Sequence, residues 1–285
     1  MSTLLSSSYF TAPSGTKTHY LQAGDPSGRL LVCLHGLGGS TETFAPLLPS
    51  LPRSYNTVLV DFQGFGKTSL ADPTKKLSVA GHADDFRHLI ASLETSAGER
   101  TAKSVIVGHS LGAIVALHYA AGNPDAVAGL VLLGPGRAAG HIPAARQRML
   151  DLAAGVREKG IGFGADAAGR SNFYEDTPER EADPAAREAV RKAVAASDPE
   201  GYAQTCEAIV DLEHLDPDYA AIRCPTVFIA GDKDMISPVS RSEELSNLVA
   251  GDSWVEVVKS GHQPILEDLE VVRRAVDKLL QKATA

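Results

Sequence analysis

The feature that most constrains this chain is a series of short runs that stay apolar throughout. They are Leu30–Leu34 (LLVCL), Thr57–Val60 (TVLV), Ser104–Val107 (SVIV), Leu130–Leu133 (LVLL), Thr226–Ala230 (TVFIA) and Trp254–Val258 (WVEVV). A strand with one wet face alternates apolar and polar residues, whereas a strand covered on both faces has no position for a polar side chain. The runs therefore read as strands of a parallel sheet held between helical layers. Residues 78–93 place apolar side chains at 79, 83, 86, 89, 90 and 93, one face of a helix. Residues 110–121 are apolar nearly all round, which predicts a buried helix. Tyr9 to Leu21, with Pro13-Ser-Gly15 at its middle, reads as an N-terminal hairpin.

Strand–helix alternation predicts a doubly wound α/β architecture, but it stops between Gly134 and Ile222. That stretch is rich in Ala, Arg, Glu and Asp and offers only helical segments, at 144–159, 184–196 and 201–210. Cys224-Pro225 then restarts the strand pattern. The expected organisation is a core from 1–134 and 223–285, interrupted by a helical insertion over 135–222.

Net charge excludes some functions. The 27 basic and 35 acidic residues leave a net charge of −8 without a Lys/Arg cluster, which argues against nucleic acid or an anionic membrane surface as partner. The three cysteines, Cys33, Cys206 and Cys224, are too few and too irregularly spaced for a disulfide framework or a zinc site. No histidine pair has metal-ligand spacing, so no metal or cofactor is expected. The N-terminal MSTLLSSSYFTAPSG lacks the basic and apolar regions of a secretion signal, and no apolar run approaches the ~20 residues of a membrane span. A cytoplasmic protein is expected, with a homodimer left open.

Three loops carry chemistry. Gly108-His-Ser-Leu-Gly112 follows a strand and opens the buried helix. In that setting the flanking glycines let strand and helix cross closely, and Ser110 is held strained and outward at a helix N-terminus. His35-Gly-Leu-Gly-Gly39 follows the first apolar run. An acyl-transfer site needs two fixed N–H donors aimed at the tetrahedral oxyanion, and Leu37 and Leu111 are placed to supply them. The loop fits neither dinucleotide nor Walker phosphate patterns. His35 reads as a loop-ordering group. The late loops Gly231-Asp-Lys-Asp234 and Ser260-Gly-His262 supply an acid and a base. Chain order is serine, acid, histidine, and each loop follows a strand end.

In spacing and order, HGLGG, DFQGFGKTS (61–69), GHSLG, GDKDMISP and SGHQPILED resemble the successive signatures of the α/β-hydrolase superfamily. The likeness is strongest to its small capped esterases and lactonases, of 3-oxoadipate enol-lactonase and carboxylesterase type. The resemblance implies an α/β-hydrolase fold: a mostly parallel sheet of about eight strands, helices on both faces and a helical cap at 135–222. It implies Ser110 as nucleophile, His262 as general base and acid, and Asp234, rather than Asp232, as orienting acid. Gly36 and His109 are carried as substrate-contacting positions, a structural role for His109 being the alternative. Asp61 closes a strand and introduces a glycine-rich loop that is expected to shape the site wall, and His118 is expected to be a core histidine. Ile142, Met149, Leu150, Leu152, Val156, Ile161, Phe163, Phe173 and Tyr174 are expected to give an apolar pocket lining. Arg137, Arg146 and Arg148 read as a solvated face or as groups for a substrate carboxylate.

The expected reaction is hydrolysis of a small-molecule ester or lactone through an acyl-enzyme. Carboxylate-nucleophile hydrolases are excluded by serine at position 110. Dehalogenases are disfavoured too, because the only tryptophan, Trp254, lies in a late strand. Carbon–carbon hydrolysis of β-diketones uses the same triad and stays open. A ligand-binding receptor of the same fold is the alternative from another class, and turnover of activated esters discriminates it.

Overall fold

The computed structural model describes residues 5–96 and 103–284; the first four residues of the N-terminal stretch read above lie outside the described residues. The sheet-forming runs become strands close to the expected limits. β1 (Ser6–Thr11) and β2 (Lys17–Gly24) form the hairpin, followed by β3 (Leu30–Leu34) and β4 (Asn56–Val60). Helix α1 (Val79–Ser96) leads to β5 (Ser104–His109), α2 (Leu111–Gly122) and β6 (Val127–Leu133). The spatial order of the eight-stranded sheet is β1-β2-β4-β3-β5-β6, continued by β7 (Thr226–Gly231) and β8 (Ser253–Val258). Only β1–β2 and β2–β4 pair antiparallel.

Strands β3 to β7 are buried at every residue because each side chain has a core to enter. Leu30, Val32, Leu34, Ile106, Leu130 and Leu132 face the core shared with α1 and α2. Leu31, Cys33, Val105, Val107, Val131 and Leu133 face the other, closed by Val272, Val276 and Leu279 of the C-terminal helix. Each such side chain contributes roughly 1.5–3 kcal/mol by leaving water. Outermost β1 carries Ser6, Ser7 and Ser8, polar residues that suit an exposed sheet edge.

Four helices occupy the interruption between β6 and β7: α3 (Pro143–Lys159), α4 (Ile161–Ser171), α5 (Pro184–Ala195) and α6 (Pro199–Ile209). Three were expected. The additional helix, α4, has the sequence IGFGADAAGRS, and its three glycines lower its intrinsic helicity. Two of those glycines lie where the helix packs closely on its neighbours. Gly164 lies against Val156 and Tyr202, and Gly169 against Arg191, closer than a larger residue could approach. The α3, α5 and α6 helices have proline in the first turn, and Asp183 and Asp198 cap α5 and α6 by accepting from Ala185 and Gly201 N–H groups. After β7 come α7 (Val239–Ser246), the single turn α8 (Pro264–Glu267) and α9 (Leu269–Thr284). Among the described residues, no helix is long and apolar enough to cross a membrane.

Candidate active site

The parallel strands end on one side of the sheet, and the loops singled out in sequence lie there. Ser110 stands at the sharp turn, or elbow, between β5 and α2 with φ 51° and ψ −111°, the one non-glycine residue of positive φ among those described. Holding a side chain in such a region costs on the order of 1–3 kcal/mol. The neighbouring packing enforces it. A Cβ on Gly112 would stand 2.0 Å from the Leu34 carbonyl oxygen, and one on Gly108 would stand 2.6 Å from the Gly112 oxygen. The Ser110 N–H donates to Leu133 O at 2.9 Å, tying the turn to β6. Its hydroxyl makes no capping bond and lines a cavity instead.

The loop after β3 passes directly over this turn. A Cβ on Gly36 would lie 3.0 Å from Ser110 Cβ and 2.9 Å from His109 Nδ1, so only glycine fits. His35 orders the loop as expected. Its Nδ1–H donates to Gly36 O at 2.7 Å and its Nε2 accepts from the Phe62 N–H at 3.0 Å. Burial holds this ring below the usual histidine value, consistent with the neutral form those bonds require. The Leu37 and Leu111 N–H groups have no hydrogen-bond partner among the described residues, and both residues line the cavity.

His262 Nδ1 donates to Asp234 Oδ2 at 2.7 Å, both side chains being buried. Asp234 Oδ1 accepts from the Ile236 and Ser237 N–H groups, each at 2.8 Å. Burial acts to raise this carboxyl, but the His262 charge, its hydrogen bond and those two N–H groups together hold it below the ordinary value. Asp232 is engaged elsewhere, accepting from the Ser260 N–H at 3.1 Å and pairing with Arg180 at 2.6 Å. With Nδ1 committed, Nε2 is the His262 nitrogen left for chemistry.

The backbone of His262 is tied from both sides. Its N–H donates to Asn172 O at 2.7 Å, and its carbonyl accepts from His109 Nε2–H at 2.8 Å. His109 thus lines the cavity and fastens the elbow to the histidine loop at once. Burial pushes its ring down to about 3, so it stays neutral. The Gly261 N–H donates to Glu267 Oε2 at 2.8 Å. The sequence reading missed Asn172 and Glu267. Glu267 lies inside the quoted SGHQPILED run, whereas Asn172 acts through a backbone carbonyl and carries no sequence signal.

The cavity encloses about 1470 Å³. Ser110, His262, Leu37, Leu111 and Ile114 line it from the sheet side, and Met149, Leu152, Phe163, Phe173 and Tyr202 from the segment between β6 and β7. Ile142, Leu150, Val156 and Ile161 are not in the lining. Val156 is buried instead, in the core cluster that joins Ala153, Ala165 and Tyr202 to the side chains of one sheet face. The glycine-rich loop that Asp61 introduces, 62–69, is also away from the lining. Asp61 is buried, accepts from Thr41 N–H and Lys67 N–H, and meets His19 Nδ1 at 2.7 Å, which anchors two loops. His118 is half-buried beside His214, with ring centroids 5.6 Å apart. Arg137 pairs with Asp216, while Arg148 reaches the cavity lining.

The fold recurs among known proteins. The model of the alpha/beta hydrolase family matches residues 31–275. An esterase structure from Thermogutta terrifontis, with malate bound, superposes with TM-score 0.84 at 26% identity, covering 98% of this chain and 100% of that one. The enol-lactonase of Burkholderia xenovorans LB400 shares the fold, with TM-score 0.80 at 23% identity, covering 96% and 100%. The pimeloyl-[acyl-carrier protein] methyl ester esterase of Neisseria meningitidis serogroup C is 28% identical over 83% of this chain and 88% of its own length. The chain belongs to the alpha/beta hydrolase family.

Proposed function

We propose that this protein is a serine hydrolase that cleaves a small-molecule carboxylic ester or lactone through an acyl-enzyme intermediate. The observation that carries the reading is a strained serine opening into the same cavity as a histidine whose Nδ1 is held by a buried carboxylate. A serine hydroxyl is a weak nucleophile until a base takes its proton, and the base needs a partner to fix its tautomer. Ser110 Oγ attacks the ester carbonyl while His262 Nε2 accepts the hydroxyl proton. The Leu37 and Leu111 N–H groups, free of other partners, receive the oxyanion. As the intermediate collapses, His262 returns the proton to the leaving alcohol. It then deprotonates water, which attacks the acyl-enzyme and releases the acid with Ser110 restored. Asp234 stays ionised throughout and stabilises the imidazolium.

The helical insertion, 135–222, acts as a cap that covers Ser110 and selects the substrate. Its contribution to the cavity lining supports this. Three buried, unpaired cysteines suit a reducing compartment such as the cytoplasm. The esterase names of the relatives from Thermogutta terrifontis and Neisseria meningitidis point to the same chemistry.

The test is hydrolysis of p-nitrophenyl esters of increasing acyl length, paired with a fluorophosphonate that labels activated serines. Wild type is expected to turn over with a length optimum and to take one label on the peptide containing Ser110. Ser110→Ala is expected to lose at least ~10³-fold in kcat/KM and to take no label. A wild type that neither turns over nor takes the label would overturn the reading in favour of a binding protein.

A further inference from the structure

Beyond β8 the chain leaves the sheet, and the N–H groups around His262 must find acceptors outside the strand ladder. The His262 N–H donates to Asn172 O at 2.7 Å, and the Gln263 side-chain amide donates to Asn172 Oδ1 at 2.5 Å. The Gly261 N–H goes to Glu267 Oε2 at 2.8 Å. The Ser260 N–H, shared with Val258 O at 3.0 Å, reaches Asp232 Oδ1 at 3.1 Å. Asp232 is held in turn by Arg180, whose Nη1 donates to Oδ2 at 2.6 Å and whose guanidinium lies 4.3 Å from the centroid of the Tyr174 ring. Asn172, Tyr174 and Arg180 all belong to the irregular stretch between α4 and α5. That stretch of the insertion therefore grips the histidine loop at two places, through Gln263 and His262 on one side and through Asp232 on the other.

The two backbones also touch. A Cβ on Gly261 would stand 2.6 Å from Asn172 O and 3.0 Å from Phe173 Cα, so the insertion presses directly on the loop. Asp232 and Gln263 take no step in the proposed reaction and lie outside the cavity lining. A general base must stand within hydrogen-bond reach of the proton it removes, and a misplacement of roughly 1 Å can cost about 10²-fold in rate. We propose that Asn172 and Arg180 are positioning residues for His262: docked on Gln263 and Asp232, they hold the histidine loop where Nε2 can take the Ser110 proton. This inference rests on the hydrolase reading above and goes beyond it. The insertion then completes the catalytic base as well as covering it, and Asp232, which does not orient His262, anchors the insertion instead.

The experiment measures kcat and KM for p-nitrophenyl ester hydrolysis together with the rate of fluorophosphonate labelling. In Arg180→Gln, kcat and the labelling rate are expected to fall about 10-fold while KM and the chain-length optimum stay as in wild type. Arg180→Lys should recover most of the loss. Asp232→Asn, which alters no cavity residue, should reproduce it, and Arg180→Gln/Asp232→Asn should lose no more than either variant alone, because both cut one contact. Gln263→Leu should lower kcat about 5-fold, and adding Asn172→Leu should lower it little further. Should Arg180→Gln fail to fold, Gln263→Leu carries the same comparison. Arg157→Gln removes the insertion's own ion pairs with Glu200 and Glu207 and should keep the wild-type kcat; an equal fall there would overturn the proposal in favour of general loosening. A raised KM with unchanged kcat in Arg180→Gln would overturn it in favour of a substrate contact. Wild-type kcat in both Arg180→Gln and Gln263→Leu would overturn it and leave the hydrolase reading standing. A wild type that neither turns over nor takes the label would remove both.

Discussion

Gly112 in the elbow and Gly155 in the inserted helices are both small residues inside helices, yet they are small for different reasons. A Cβ on Gly112 would meet the Leu34 backbone carbonyl at 2.0 Å, and neither the strand nor the helix can retreat. A Cβ on Gly155 would meet the rim of the Phe163 ring at 2.2 Å, and a side chain that lines a cavity can swing aside. At these two positions the sheet side holds backbone against backbone, whereas the inserted side holds backbone against a side chain. In the proposed reaction the first arrangement fixes the reacting atoms, while the second leaves room for the cavity to vary without disturbing Ser110.

Substitutions can break that contrast, and the largest effect is expected at the elbow. Gly112→Ala should cost more than about 3 kcal/mol, because overpacking against a fixed backbone has no inexpensive relief. Urea denaturation would measure it, and a midpoint within error of wild type would show that the elbow is not held by backbone contact. An intermediate effect is expected at the seam where the two sides meet. Glu267 is half-buried, has one carboxylate oxygen without a partner, and is raised by burial from 4.5 to about 7. Between those values the folded protein keeps a proton that the unfolded chain has lost. The stability from this group is therefore complete below 4.5 and disappears as pH rises through about 7. Glu267→Gln should flatten that part of the stability profile, and above neutral pH should gain about 1 kcal/mol after allowing for solvent screening. Thermal melts across the range would check it, an unchanged slope counting against the assignment. The smallest stability change is expected at Gly155→Ala, within roughly 0.5 kcal/mol, because the helix favours alanine while Phe163 must move. Its mark should be on selectivity, a shift of the p-nitrophenyl chain-length optimum toward shorter acyl groups.

The two sides were also unequally legible. The buried strands were readable because a strand covered on both faces admits almost only apolar residues, and the ends of β3, β6 and β8 lay close to their runs. The elbow was readable because its glycines are dictated by backbone contact. In the insertion, α4 was missed because its glycines speak against a helix in isolation, and only close packing on Val156, Tyr202 and Arg191 makes them suitable. The loop after Asp61 was misplaced at the site wall because a glycine-rich loop after a strand looks alike whether it faces a cavity or is drawn back by an aspartate that accepts from Thr41 and Lys67 N–H groups.

What the sequence by itself determined was the set of strands, the interruption between Gly134 and Ile222, and the order of loops at the strand ends, all consequences of short-range pattern. The family resemblance pointed to Asp234 over Asp232, but only the tertiary structure gave the two aspartates, two residues apart in sequence, entirely different partners in space. It alone joined Asn172 O and His109 Nε2 to the backbone of one residue, contacts that span 90 and 153 positions of the chain (262 − 172 and 262 − 109). It alone paired Arg180 of the insertion with Asp232. A local pattern records the neighbours a residue has along the chain, and the chemistry of this site is set by the neighbours it gains on folding.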